Sequence, residues 1–366
     1  MSVNFFLPTR ILLDDDCVRK HAAVWKEFGK KALIVTGKHS ARANGSLQDV
    51  TDALNAQGIG YAIFDRVETN PSIANVREGA AFAKENHVDF VIGIGGGSPM
   101  DAAKAIALLA CQDLADEALF TGPYTKDILP LVLLPTTAGT GSEVTQYSIL
   151  TNDKAQSKTS IANPLIFPKL ALIDAKYTQG LPLRTTIHTA IDALSHSIEG
   201  SLSKRSNALV DLLAEESVRL IAAHFDDLIH DRLDAKARAN LIYASMLGGM
   251  VIAQTGTTAV HAMGYSLTYF HHIDHGRANG LLLPAFLAFL ENEKPEPVHH
   301  MLEIMGLANT AAFRDVIDRL LGEKETITDE EFRKFSGIAI QAKNIPGCLV
   351  VPTAENLYQM YVESFS

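Results

Sequence analysis

The pattern of apolar residues changes character once along this chain, and that change limits the folds open to it. Up to about residue 180, short apolar runs at 32–36, 61–64, 90–94, 131–134 and 170–173 alternate with stretches of helical spacing at 47–57, 72–85 and 99–109. Such alternation predicts parallel strands joined by crossover helices. From Leu181 onward only helical spacing recurs, at 187–201, 208–224, 235–253 and 312–321. The expected architecture is an N-terminal α/β domain on a parallel, Rossmann-like sheet (residues 1–181) and an all-α C-terminal domain (residues 182–366), divided at Leu181-Pro182. A chain of 366 residues with 47% hydrophobic content is long and apolar enough for two such cores.

Inside the first half, residues 89–101 read Asp-Phe-Val-Ile-Gly-Ile-Gly-Gly-Gly-Ser-Pro-Met-Asp. The apolar run is a buried strand by its pattern, and Gly95, Gly96 and Gly97 let the backbone turn without Cβ clashes. Ser98 is then expected as a helix N-cap, with Pro99 at the first helical position. A strand, a glycine turn and a helix N-terminus together offer free N–H groups to a phosphate. The motif is neither Gly-x-Gly-x-x-Gly nor a P-loop. A second loop, Thr136-Thr137-Ala138-Gly139-Thr140-Gly141-Ser142-Glu143, follows another apolar run and adds hydroxyls and backbone donors. Two such loops at strand ends suit a nucleotide at the carboxyl edge of a parallel sheet.

The second half carries metal-ligand chemistry. Asp192 and His196 stand four residues apart, on one face of a helix. With His261 and His275 they make a set of one carboxylate and three imidazoles, suited to Fe²⁺ or Zn²⁺ with a position left for substrate. An ion held this way acts as a Lewis acid on an alcohol or carbonyl oxygen during hydride transfer. His271-His272 and His299-His300 read as rim or surface residues, and Trp25 as a packing residue.

These segments in this order resemble the iron-containing (group III) alcohol dehydrogenase family. The resemblance rests on residues 95–101, 135–143, 192–196 and 261–276, and spans residues 5–360. It implies an N-terminal dinucleotide-binding domain, a helical C-terminal domain and a metal in the cleft between them, held by Asp192, His196, His261 and His275. Iron follows from the family; zinc or nickel is expected to compete as isolated, since affinity at nitrogen and oxygen ligands favours them. By the same carry-over Gly96, Gly97, Ser98, Thr136, Thr137 and Thr140 line the dinucleotide, and Asn70 and Lys158 also fall at coenzyme-contact positions. Gly95 and Asp101 belong to the same segment and complete the expected set. Tyr265 stands where many members carry a further histidine that helps relay a proton; Tyr265, His271 or water are the alternatives for that relay.

The segment 35–42, Val-Thr-Gly-Lys-His-Ser-Ala-Arg, bears on coenzyme choice. Gly37 occupies the place where NAD-preferring relatives tend to carry an aspartate. Lys38, Ser40 and Arg42 offer cations or a hydroxyl to a 2′-phosphate, so NADP(H) is expected over NAD(H). The substrate expected is a small primary alcohol or its aldehyde. Alternatives are polyol or hydroxyacid oxidation, a dehydroquinate-synthase-like reaction on the same scaffold, or a non-catalytic metal- or nucleotide-binding sensor. A net charge of −10 argues against non-specific nucleic-acid binding. No apolar run is long enough to span a membrane and no export signal precedes residue 30. Three isolated cysteines, Cys17, Cys111 and Cys348, fit a reducing cytoplasm. The family implies a homodimer.

Overall fold

The computed structural model describes residues 3–366. The backbone contacts of these residues divide into two compact units, one of residues 7–137 and 141–180, the other of residues 3–6, 138–140 and 181–366.

The first unit holds a six-stranded, wholly parallel sheet built from β1 (Arg10–Leu13), β2 (Lys31–Gly37), β3 (Gly60–Val67), β4 (Phe90–Gly95), β5 (Leu131–Pro135) and β8 (Leu170–Ile173), in the order β1-β8-β5-β4-β2-β3. Strand order reverses between β2 and β4, which places the ends Gly37 and Gly95 at the switch point where open α/β sheets bind ligands. The inner strands are apolar on both faces because both are covered. Leu33, Val35, Val91, Leu131 and Leu133 point to one side, with the helices Ile73–Glu85 and Gly97–Cys111. Ala32, Ile34, Phe90, Ile92, Val132 and Leu134 point to the other, with Ser46–Ala56 and the fully buried Trp25. A one-residue slip in any of these strands would exchange the two faces.

Two elements of this unit lie outside the sequence expectation. The edge strand β1 is four residues long and pairs only with β8, too short to show a period. An antiparallel hairpin of β6 (Tyr147–Asn152) and β7 (Ser157–Ala162) is rich in Ser and Thr, so it lacks the apolar run that marks a strand. One local expectation is corrected. The helix after β4 begins at Gly97, with Gly96 in extended backbone as its cap, so Ser98 lies inside the first turn and caps nothing. Ser98 Oγ instead accepts the Asn70 N–H at 3.1 Å.

The second unit is helical. Helices Leu183–Ser201, Ala208–Ala222 and Ala235–Thr255 fall where the spacing places them, and Ala259–His271 and His275–Glu293 follow. The last two are apolar on most sides, which removes the amphipathic signal of a surface helix. Among the described residues no helix is long and apolar enough to cross a membrane.

Candidate metal and coenzyme sites

Asp192 and His196 both lie on the helix Leu183–Ser201, buried to 3% and 4% exposure. His261 sits in the first turn of Ala259–His271, and His275 opens the helix that bears it. Gly276 makes this approach possible. A Cβ there would lie 1.9 Å from the His188 carbonyl oxygen, so no side chain fits, and the two helices meet backbone to backbone. His275 Nε2 consequently stands 3.7 Å from Asp192 Oδ1. His261 Nε2 lies at 3.7 Å and His196 Nε2 at 3.9 Å from the same oxygen. Donor atoms of Asp192, His261 and His275 all fall within 4.8 Å of one another.

The donor chemistry fits a divalent ion. Burial pushes His196 down to about 4, so its ring is neutral and keeps a lone pair for a metal. Burial alone would raise Asp192, but the positive charge that His196, His275 and His261 carry when protonated, with the Asn279 hydrogen bond, outweighs it and keeps the carboxyl below the usual carboxylate range. Lone pairs facing one another across less than 4 Å in a dry interior repel unless a cation lies among them. A divalent ion would be held by Asp192, His196, His261 and His275.

Three neighbours complete the site. Tyr265 lies ring to ring on His275, with centroids 5.7 Å apart and planes 12° apart. Asn279, one turn after His275, places its amide nitrogen 2.9 Å from Asp192 Oδ1, 3.1 Å from His261 Nε2 and 3.3 Å from His275 Nε2. Glu199, fully buried, meets His261 Nδ1 with one carboxylate oxygen. Asn279 and Glu199 went unread in the sequence. Glu199 is three residues after His196 and seven after Asp192, so the face that carries the ligands also carries it. Met263 and Leu267 are fully buried in the helix packing, and Phe270 stacks on Phe335. His271 Nε2 meets Glu331 Oε1 at 3.0 Å, while His299 and His300 are exposed and paired with Glu291 and Glu215.

In the sheet unit, Gly95 adopts φ 150°, and a side chain there would strike Pro99. A Cβ on Gly96 would touch Thr137 Oγ1 at 3.1 Å, so the glycine turn and the start of the threonine loop lie side by side. Lys158 Nζ donates to Asn70 Oδ1 at 2.6 Å, joining two expected coenzyme contacts across the β7 hairpin. Asn70 has the left-handed φ of 56° that asparagine tolerates. Asp101 is engaged internally. Its carboxylate accepts from Ser142 Oγ at 2.6 Å and from the Ile149 N–H at 3.0 Å. Buried Lys104 donates to Ser142 Oγ, Thr145 Oγ1 and the Tyr147 carbonyl, pinning residues 142–149 to the glycine-turn helix. At the end of β2, Gly37 has open space, Lys38 and Ser40 are exposed, and Arg42 pairs with Asp65 at 2.9 Å. Thr140 belongs to the helical unit.

Comparison with known proteins identifies the family of the chain. Residues 8–175 match the profile of iron-containing alcohol dehydrogenases, and residues 186–364 that of the C-terminal region of the same family. The 1,3-propanediol dehydrogenase of Citrobacter freundii is 35% identical over 308 residues, 83% of this chain and 78% of that protein. An iron-containing alcohol dehydrogenase from Thermotoga maritima superposes with a TM-score of 0.91 at 38% identity, covering 99% of both chains. Sulfoacetaldehyde reductase from Bifidobacterium kashiwanohense, solved with NAD⁺, gives 0.90 at 29% identity over 100% of this chain and 99% of that one. The chain belongs to the iron-containing alcohol dehydrogenase family and is an alcohol–aldehyde oxidoreductase.

Proposed function

We propose that this chain interconverts a small, uncharged primary alcohol and its aldehyde, using NADP(H) and an Fe²⁺ ion held by Asp192, His196, His261 and His275. The observation that carries the reading is the convergence of three imidazole Nε2 atoms, at 3.7–3.9 Å, on one carboxylate oxygen of Asp192. When bound, the ion supplies Lewis acidity toward the oxygen that gains or loses charge as hydride moves to or from the nicotinamide. Asp192 offsets part of the ion's charge. The neutral histidines fix its place without quenching its acidity. Gly95, Gly96 and the threonine loop let the dinucleotide phosphates approach backbone N–H groups, and Lys158 brings a cation beside Asn70.

An uncharged substrate follows from the state of the nearby cations. Arg277 is committed to Glu325 and to the carbonyls of Leu321 and Glu323, and Arg184 faces Asp274 at 3.7 Å. Neither is left for a carboxylate or phosphate on the substrate, which disfavours cyclisation of a phosphorylated sugar acid and hydroxyacid oxidation. Preference for NADP(H) is supported by the open space at Gly37 and by Lys38 and Ser40 beside it.

The test is an NADPH-oxidation screen of iron-loaded protein over short aldehydes, run beside sulfoacetaldehyde and glyoxylate. Turnover of the neutral aldehydes, abolished in His261→Ala and His275→Ala, is the expected result. Preference for the anionic substrates would overturn the substrate reading, and activity retained in metal-stripped His261→Ala would overturn the metal assignment.

A further inference from the structure

We infer that Glu199 is a positioning residue of the metal site, setting the tautomer of His261 so that its Nε2 presents a bare lone pair to the ion. The inference rests on the metal reading above and names how one ligand of that site is held. Its first support is the commitment of the carboxylate. Glu199 is fully buried on the same helix face as Asp192 and His196. Its Oε1 accepts from the Thr258 N–H at 2.8 Å, the Thr258 hydroxyl at 2.7 Å and the Val260 N–H at 3.0 Å. Those are donors at the start of the helix that carries His261, where a carboxylate also answers the helix dipole.

Its second support is the other oxygen. Oε2 meets His261 Nδ1, and a carboxylate whose Oε1 already takes three donors is placed as the acceptor of this contact too. Nδ1 must therefore donate, which leaves Nε2 deprotonated in the neutral ring. Third, the Asn279 amide nitrogen, a donor with two hydrogens, lies 3.1 Å from His261 Nε2, an approach that suits an Nε2 without a proton. One helix thus supplies two ligands directly and orients a third on its neighbour, the carboxylate–histidine–metal relay by which outer groups fix ligand geometry. A plain helix cap would need Oε1 alone and would be indifferent to the His261 tautomer.

Glu199→Gln separates the two roles. The glutamine oxygen can keep the Thr258 and Val260 donors, while its amide, now a donor, faces Nδ1 and drives the ring proton onto Nε2. Metal-stripped wild type and variant are titrated with Co²⁺, free ion being measured by equilibrium dialysis, with Asp192→Ala as the site control. The expected result is a Kd raised about 10- to 100-fold in Glu199→Gln, with the melting temperature of the metal-free protein within a few degrees of wild type. In a His261→Ala background the same substitution should change the Kd less than about twofold, because its route to the ion is gone. Long-range ¹H–¹⁵N spectra of metal-free wild type should show the His261 proton on Nδ1.

Unchanged Co²⁺ affinity in a folded Glu199→Gln protein, or a wild-type His261 protonated on Nε2, would overturn the inference while leaving the metal site standing. Should the variant not fold, the wild-type tautomer alone decides. Wild-type protein that takes up no Asp192-dependent Co²⁺ would instead overturn the metal reading itself.

Discussion

The side-chain nitrogen of Asn279 lies 2.9 Å from Asp192 Oδ1, the oxygen on which the imidazoles of His196, His261 and His275 converge. An amide there lends the carboxylate a hydrogen bond without adding charge. Asn279→Asp would place a second carboxylate against Asp192 in a buried site, where like charges repel strongly. With no metal, the variant should melt about 4–8 °C below wild type, equivalent to roughly 2 kcal/mol for a unit of this size. Saturating Zn²⁺ should raise the variant's melting temperature more than that of wild type, since the cation answers the added charge. Calorimetry with and without Zn²⁺ checks this, and equal metal-induced shifts in the two proteins would show that Asn279 does not face the ligand set.

Tyr265, His271 and water are the alternatives for a proton relay, and the surroundings of the two side chains differ. Tyr265 stacks on His275, whereas His271 Nε2 is taken by Glu331 at 3.0 Å. Removing only the hydroxyl, in Tyr265→Phe, preserves the stack. It should lower kcat about 100-fold, as loss of a positioned acid–base group does, with KM for the coenzyme unchanged. His271→Ala should leave kcat within about twofold. If the two variants behave alike in steady-state assays, water carries the proton.

The parts of this molecule that were legible in its sequence are those where one residue type can do one job. Apolar runs of four or five residues cannot form helices that bury a face, so β2, β4, β5 and β8 declared themselves, and Asp192 with His196 announced a shared helix face. What stayed hidden depends on residues far apart in the chain. Glu199 looks like one more helix-surface acid until the helix start at Thr258 and Val260 folds over it. Asn279 is marked only by its distance from His275. Serine's preference for the cap position points to Ser98, but Gly96 in extended backbone already starts the helix. Asp101, grouped with the coenzyme residues, is also tied to Ser142 and Ile149 in a buried network no local pattern reveals.

Coenzyme choice turns on the end of β2. A Cβ on Gly37 would find nothing nearer than the Val67 carbonyl oxygen at 3.8 Å, so a larger residue fits there. Gly37→Asp would set a carboxylate beside the expected 2′-phosphate. It should cut kcat/KM for NADPH at least tenfold while leaving that for NADH equal or improved. Lys38→Ala should lower the NADPH value alone. Arg42 already pairs with Asp65 at the surface, a contact of this kind being worth about 0–1 kcal/mol, so it should matter less than Lys38. A wild type that prefers NADH, or a Gly37→Asp variant with an unchanged ratio, would refute the assignment.

Glu143 follows the threonine loop and is 1% exposed; among the described residues neither carboxylate oxygen finds a hydrogen-bond partner in another side chain or backbone group. Burial pushes it up to about 7, with the Lys104 amine too engaged by Ser142, Thr145 and Tyr147 to bond it directly. An unfolded glutamate titrates near 4.5, so between about 4.5 and 7 folding takes up a proton at this site. The group's contribution to stability must then fall as pH climbs through that window, and the full penalty of an ionised, buried carboxylate applies above it. Buried His196, held down near 4, acts in the opposite sense, so the total slope of wild type is not diagnostic and a difference is needed. Glu143→Gln should match wild type at pH 4.5 and become progressively more stable relative to it, by on the order of 2–3 kcal/mol at pH 8. Urea denaturation of both proteins at half-unit steps from pH 4.5 to 8 measures that difference, and a flat line across the window would mean that Glu143 is ionised and partnered in the folded protein.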